Sequence, residues 1–437
     1  MTAGSCAGPA DEVTVCRDKI TSRTPSRPPL PTRVRCDDRP VLPVTPPTTE
    51  LPSVPPGDPA GLAPYDAVLL FSFGGPNGPD DVLPFLRNVT AGKNIPDERL
   101  AEVAEHYHHF GGRSPINEQN LALRAALQAE LERRGLDVPV VWGNRNWTPY
   151  TTDALAEAYA AGARRVVAVV TSAYSSYSGC RQYRENLWTA LSDLATRVGA
   201  PEGTHPMAVD KVRSYFNHPG FVQANVDAVV EAYQGVAADA AWPRLVFVTH
   251  SIPDTMEEAS VVAGASYREQ HLDVARTVAA AVAERLGREV EWDLAFCSRS
   301  GPPSQPWLEP DVNDHLGTLA AAGTTSVVLS PIGFVSDHME VAFDLDTEAL
   351  ETAQELGMTA VRADSVGVRE AFVRGLVDLL VERAAIARAD AAGLPRPAEA
   401  TAGDLPAFRS VCAPGCCRMR AGVDSGRPAA CSTDPWS

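Results

Sequence analysis

The chain has 437 residues, 44% of them hydrophobic, and a formal net charge of −17; the length allows two or three ordinary domains and the composition is globular. So acidic a balance disfavours nucleic acid and anionic membrane surfaces as partners, since both reward clustered Lys and Arg. No window approaches the roughly 18 uninterrupted apolar residues of a transmembrane helix, and the start, MTAGSCAGPADEVTVCRDK, has no signal-peptide core, so a cytoplasmic chain is expected.

Residues 1–62 are dense in Pro, Thr, Ser and Arg (RTPSRPPLPTR, PVLPVTPPTTELPSVPPGDP) and lack hydrophobic periodicity, which predicts a disordered extension. Its Cys6, Cys16 and Cys36 have no metal-ligand spacing and read as incidental thiols. Order is expected from Tyr65, where YDAVLLFSFGGP has the pattern of a buried strand ending in a Gly-Gly-Pro turn. Helical patterns follow over Asp80 to Leu86, Pro96 to Phe110 and Asn117 to Arg134. VPVVWGNRNW is the next strand, TDALAEAYAAG a helix, RRVVAVVTSAYSSYS a third strand with a polar tail, and CRQYRENLWTALSDLA the closing helix.

The same grammar restarts after His218. Helix GFVQANVDAVVEAYQGV leads to strand RLVFVTHSIP, helix HLDVARTVAAAVAERLG to strand EVEWDLAFCSRSG, and helix DHLGTLAAAG to strand TSVVLSPIGF. An acidic helix, strand TAVRADSV and helix REAFVRGLVDLLVERAA complete it. Strands alternating with helices of this length indicate βαβ units and parallel sheets. The expected architecture is two similar α/β halves joined near 205–218, as domains 63–212 and 213–387, with a ligand cleft between them. Residues 388–437 read as a Pro/Ala-rich linker and a Cys-rich tail.

The chemistry concentrates in VVLSPIGFVSDHMEVAFDLDTEAL, Val327 to Leu350, which reads as a strand, a turn and a helix starting near Ser336-Asp337. Loops at the carboxyl ends of strands bind ligands in open α/β sheets, so Phe334, Asp337, His338 and Glu340 should face the crevice. Glu340, Asp344 and Glu348 recur at i, i+4 and i+8, along one helix face; such a row can lead a cation inward or be a solvated acidic face. His250 ends the β-branched run in FVTHSIP and should project into the same crevice. An imidazole titrating near neutrality is a natural proton acceptor, and a hydrogen-bonded structural His is the competing account. The indole of Trp307 in PWLEP supports a flat ligand or simply packs. His106, His108 and His109 read as polar surface, because 106 and 108 point about 200° apart on a helix. Gly74-Gly75-Pro76-Asn77-Gly78 is no dinucleotide fingerprint, lacking the spacing and the acidic partner.

FSFGGPNGPDDVLPFLRNV, HYHHFGGRSPIN, VTHSIP, PPSQPWLEPDV and SPIGFVSDHMEVAFDLD occur in the order and approximate spacing of the ferrochelatases, which insert ferrous iron into a porphyrin. The resemblance runs from about Tyr65 to about Ala385. It implies two Rossmann-like, chelatase-type domains with the porphyrin between them. By resemblance, His250 and Glu340 are the active-site pair, assigned to metal contact and proton removal, with Asp337, His338 and Phe334 around them. Tyr107, Ser114, Arg145 and Tyr183 fall at or near positions contacting porphyrin or its propionates. Phe73 departs from the pattern, standing where several bacterial members that metallate coproporphyrin carry a Tyr able to ligate the product iron. The implied substrate is coproporphyrin III rather than protoporphyrin IX, because the chain is similar to cluster-bearing bacterial members and has the polar PNGPDD where membrane-associated relatives carry an apolar lip. A cobalt or nickel chelatase for another tetrapyrrole is one alternative. A non-catalytic haem or iron–sulfur protein is another, opposed by the presence of both His250 and Glu340. A monomer is favoured.

The cysteine tail is similar to that of family members holding a 2Fe-2S cluster. CAPGCC supplies Cys412, Cys416 and Cys417, and Cys180 stands where those relatives have their internal ligand. Cys297 and Cys431 are reserve candidates, and zinc or a disulfide formed on purification are the alternatives.

Overall fold

The computed structural model describes residues 61–92, 95–236, 240–261, 264–301, 304–413, 415–420, 422–423 and 425–431. The expectations for residues 1–60, including Cys6, Cys16 and Cys36, lie outside the described residues.

The first half runs β1 (Ala67–Ser72), α1 (Pro79–Val89), α2 (Asp97–His109), α3 (Ile116–Arg133), β2 (Val140–Asn144), α4 (Thr151–Ala160) and β3 (Arg165–Val170). A π-helical turn at Tyr177–Arg181, α5 (Gln182–Val198) and β4 (Ala208–Lys211) complete it. The second half runs α6 (Pro219–Gln234), β5 (Arg244–His250), α7 (Asp254–Ala259), α8 (Tyr267–Leu286), β6 (Trp292–Cys297), α9 (Val312–Ala321) and β7 (Ser326–Ser330). A π-helix over Val341–Ala349, α10 (Leu350–Glu355), β8 (Thr359–Arg362) and α11 (Glu370–Ala392) follow.

Every residue of β1, AVLLFS, is buried, as is every residue of β7, SVVLS. Helices cover both faces of a parallel sheet, which is why these strands read as unbroken apolar runs rather than alternating ones. Each fully buried Val, Leu or Phe contributes about 1.5–3 kcal/mol. Helix boundaries follow local chemistry. A capping box between Ser266 and Glu269 starts α8, and left-handed Gly287 ends it.

Both sheets are parallel and share one order, β2-β1-β3-β4 and β6-β5-β7-β8. The direction of strand addition reverses between β1 and β3 and again between β5 and β7. Ligand crevices form outside the carboxyl ends of strands at such switch points. His250 is the last residue of β5 and Glu340 follows β7, so the second switch point brings the two together.

The structure adds elements that the pattern did not predict. β4 is a four-residue strand, AVDK, in the segment read as a joint between the halves, and its polar residues carry no strand signature. The acidic helix does not begin at Ser336-Asp337: helical geometry starts at Met339 and turns into a π-helix from Val341. At the other end α11 packs on α3 and α6, with ion pairs Arg134–Asp378 at 2.6 Å, Arg213–Glu382 at 2.8 Å and Arg383–Asp210 at 3.0 Å. The chain then returns to the first half. Arg184 Nε donates to the Ala430 carbonyl at 2.8 Å, and the Ala430 N–H donates to the Arg184 carbonyl at 3.0 Å. Among the described residues no helix is long and apolar enough to cross a membrane.

Candidate active site

His250 is held from behind and below. Its carbonyl accepts from the Tyr267 hydroxyl at 3.1 Å, and its Nδ1–H donates to the Ser251 carbonyl, which leaves Nε2 as the atom facing the cleft. Neighbouring Thr249 bonds both the Tyr267 hydroxyl and His271 Nε2 at 2.9 Å, fixing the end of β5. The loop after β7 lies directly against this end. A Cβ on Gly333 would come within 2.0 Å of Thr249 Oγ1, so only glycine permits the approach.

Glu340 Oε2 is 3.6 Å from His250 Nε2 and 3.7 Å from His338 Nδ1. His338 Nδ1 accepts from the Glu340 N–H at 3.2 Å, so this ring is neutral with its proton on Nε2. Burial, followed by Glu340 and His250 acting in opposite senses, holds the His338 value below the ordinary one. The His250 and Glu340 side chains remain 34% and 47% exposed, accessible to a ligand. Burial opposes the His250 imidazolium, but the Glu340 carboxylate more than offsets it and raises the ring to about 9. Burial likewise opposes the Glu340 carboxylate, and His250 then His338 pull it down to about 2. The near-neutral imidazole read from the sequence is therefore an ion-paired imidazolium in the free cleft.

Asp344 behaves differently. Burial, with Glu340 and Glu348 adding to it, raises its carboxyl to about 7, against the opposing Ser298 hydroxyl bond and His250. Ser298 Oγ donates to Asp344 from a left-handed backbone at φ 60°, an uncommon conformation for a non-glycine residue. Burial is also the main reason Glu348 is raised. The wider i→i+5 turn of the π-helix places Glu340, Asp344 and Glu348 in succession from the pair outward, and the Thr347 hydroxyl donates across such a turn to the Ala342 carbonyl at 3.2 Å.

Residues from the first half close the other side. Tyr107 on α2 packs against Phe85 with ring centroids 6.1 Å apart. Its hydroxyl is raised by burial and by Glu340 and Asp344, which puts it opposite the acidic row. His106, read as polar surface, stacks on Phe343 of the π-helix with centroids 3.9 Å apart. Arg145 sits between aromatic faces, 5.4 Å from the Phe73 centroid and 4.7 Å from that of Tyr183, and its buried Nε has no partner. Ser114 is buried against Gly75, where any Cβ would clash with it. Phe334 is buried and meets His338 edge-on at 5.0 Å. Asp337 is engaged as a clasp, its carboxylate 3.3 Å from Arg362 and its N–H donating to Gln119 across the cleft at 2.8 Å. Trp307 is half-buried, bridged to Pro253 beside His250, with an unpartnered indole N–H.

A second assembly lies away from this pair. Cys180, Cys412, Cys416 and Cys417 form one buried cluster, with the Cys416 and Cys417 sulfurs 3.5 Å apart and no disulfide among them. The reserve candidates are not among the four, although the Cys431 carbonyl accepts from the Cys412 N–H at 3.1 Å. The Cys431 thiol donates to the Val209 carbonyl at 3.1 Å, and Cys297 ends β6 beside Ser298. Among the described residues no group of three or more His, Cys, Asp or Glu side chains converges to hold a single metal ion.

Sequence reasoning missed Ser298, although a residue just past the carboxyl end of β6 is where the strand-end rule points. It also missed Arg184 and Lys211 beside the cysteines, for which no local signal exists.

Fold and site together define an α/β cleft protein of the chelatase type, with a paired imidazole and carboxylate at a strand switch point and acidic groups leading outward. Residues 65–384 match the ferrochelatase family model, and the chain belongs to that family. It is 51% identical to a coproporphyrin III ferrochelatase of Streptomyces coelicolor, over 85% of this chain and 97% of that protein. It is 52% identical to the protein of the same name from Streptomyces griseus, with the same coverage. A ferrochelatase of Rhodopirellula baltica is 47% identical over 84% of this chain and 98% of its own length.

Proposed function

We propose that this chain inserts Fe²⁺ into coproporphyrin III, with His250 and Glu340 as the reacting pair and residues 63–212 and 213–387 as the two domains that enclose the ring. The observation that carries the reading is the 3.6 Å approach of His250 Nε2 to Glu340 Oε2 at the switch point, with Asp344 poised at about 7 behind it. The names of the Streptomyces relatives support the substrate. Anaerobic Fe²⁺ insertion assayed side by side should favour coproporphyrin III over protoporphyrin IX in kcat/KM. A preference for protoporphyrin IX would overturn the substrate assignment.

Metallation takes two pyrrole protons out and brings one dication in. In the free cleft His250 carries a proton that Glu340 stabilises. Fe²⁺ approaching the Glu340 carboxylate competes for that charge, the support for the imidazolium falls away, and its proton passes by way of the Asp344 carboxylate to solvent. The freed Nε2 then accepts the two pyrrole protons in turn, each passed on by the same route before the next is taken. Asp344, ionising near neutrality, is matched to pass protons onward, since a transfer group works best with its pKa near the operating pH. Oxygen and nitrogen donors bind Fe²⁺ less firmly than thiolates, which suits a substrate ion that must be released.

The sign of the pH dependence follows. Below about 7 the Asp344 carboxyl keeps its proton and accepts none, and above it the carboxylate accepts. The kcat/KM profile should therefore rise through about pH 7. Asp344→Asn should lose that limb and about tenfold in rate, a partial loss because Glu340 and Glu348 remain. A profile unchanged by the substitution would remove Asp344 from the relay.

Coproporphyrin brings four propionates. Arg145, held between Phe73 and Tyr183 without a carboxylate partner among the described residues, is the charge suited to one of them. Arg145→Ala should raise KM for coproporphyrin III more than it lowers kcat, the mark of lost uniform binding. An unchanged KM would count against the role. With Phe73 in the place of a Tyr, no phenolate oxygen from this position ligates the product iron.

The four-cysteine assembly fits a 2Fe-2S cluster. Its thiols are buried and free of disulfides, and a cavity of about 230 Å³ borders Cys180, Cys412 and Cys416. Such a cluster takes four thiolates, two on each iron, so its ligands need not converge on one ion. Cys180, Cys412, Cys416 and Cys417 would hold it. When bound, the group would supply one-electron redox capacity and a cross-link between the tail and the π-helical turn before α5. The six free thiols among the described cysteines suit a reducing compartment such as the cytoplasm.

A further inference from the structure

We propose that Arg184 and Lys211 are built-in counter-cations of the cluster at Cys180, Cys412, Cys416 and Cys417, and that they set its reduction potential. This rests on the 2Fe-2S reading above. Arg184 is 1% exposed and Lys211 5% exposed. Arg184 spends Nε on the Ala430 carbonyl, while its buried Nη1 and Nη2 have no hydrogen-bond partner among the described residues. Among the described residues the Lys211 ammonium has one acceptor, the Val212 carbonyl at 3.2 Å. Buried cations are ordinarily paired, because an unpaired charge is strongly disfavoured out of water.

The neighbouring carboxylates are already engaged. Glu185, next to Arg184, is bound by Arg181 at 3.0 Å, Tyr177 at 3.1 Å and Ser425 at 2.6 Å. Asp210, next to Lys211, is bound by Arg165 and Tyr65 at 2.8 Å and by Arg383 at 3.0 Å. Anionic sulfur is what remains within reach. Arg184 lies one helical turn beyond Cys180, and Lys211 lines the same cavity as Cys180, Cys412 and Cys416. A 2Fe-2S centre on four thiolates is a net anion that gains one further negative charge on reduction. Net charge and nearby charges set the potentials of such centres. Fixed cations in a poorly screened interior favour the more negative, reduced form.

The test is a redox titration of anaerobically purified full-length protein, followed by visible absorbance, with iron and sulfide measured on the same samples. Lys211→Met and Arg184→Met should each lower the equilibrium constant for reduction at least about tenfold, which is about 59 mV for a one-electron couple. Lys211→Arg, keeping the charge, should stay within about threefold of the parent chain, an outcome that a purely structural role for Lys211 would not single out. Should Arg184→Met release the tail and its metal, Lys211→Met decides the matter. A Lys211→Met protein with full iron and sulfide and an unmoved potential overturns the proposal and leaves the cluster standing. Parent protein without iron and sulfide overturns both.

Discussion

His250→Ala should abolish metallation, lowering the rate by about 10²–10⁴-fold, the usual worth of a positioned acid–base group. Coproporphyrin III binding should stay within about tenfold, because the candidate contacts to the macrocycle and its propionates come from Phe73, Tyr107, Ser114, Arg145 and Tyr183. The side chain is 34% exposed and, Glu340 apart, its hydrogen bond runs to the carbonyl of the next residue, Ser251, so the fold should survive its truncation. The loss has two parts. The atom facing the incoming ring disappears, and Glu340 loses its principal cationic partner, so its carboxyl rises from about 2. Anaerobic insertion followed by porphyrin fluorescence, with a separate binding titration, checks both parts. Near-normal turnover would sink the assignment, and a collapse of porphyrin affinity would reassign His250 to binding.

Cys180→Ser should remove the colour of the protein. Anaerobically purified parent chain is expected to be red-brown with about two irons and two sulfides per chain, and the variant should carry neither. Cys180 is the ligand from the folded first half, in the π-helical turn before α5, while the other three come from the tail. Losing it severs the metal-borne link between those segments. What remains are direct hydrogen bonds, among them the pair between Arg184 and Ala430, Ser425 to Glu185 at 2.6 Å, Arg181 to the Arg427 carbonyl at 3.0 Å and the Cys431 thiol to Val209 at 3.1 Å, with Arg184 and Lys211 then buried beside thiols that need not be ionised. The thermal midpoint should fall accordingly, and limited proteolysis should cut the cysteine-bearing segment beyond buried Phe408. Full colour in Cys180→Ser, or colourless parent protein with one zinc, would show this ligand set to be wrong. Turnover per intact molecule should change far less than in His250→Ala, since the cysteines lie apart from the His250–Glu340 pair.

Much of the fold was legible because it is written in local periodicity. AVLLFS and SVVLS are apolar without alternation because both faces of a parallel strand are covered, and no other packing suits such short runs between amphipathic helices. Gly287 ends α8 where the helical pattern was expected to stop, whereas the capping box of Ser266 with Glu269 starts it at Tyr267, four residues before the expected start at His271. β4 was illegible for the converse reason. AVDK is a strand only because the edge of β3 is there to pair with it.

By itself, then, the sequence determined the alternating α/β grammar, the place of His250 at a strand end, the acidic spacing Glu340–Asp344–Glu348 and the supply of thiols in the tail. These depend on residue type and on distances of a few positions along the chain. The tertiary structure decided which groups carry charge. Glu340 at about 2, Asp344 at about 7 and His250 at about 9 differ because burial and through-space charge differ at each, and no spacing rule contains those quantities. It also decided that Ser298 holds Asp344, that a π-helix spaces the acidic row, and that Cys180 meets Cys412 across more than half the chain. Contacts of that kind arise only once the sheets are formed and the tail has folded back, because they join segments that local backbone preference cannot bring together.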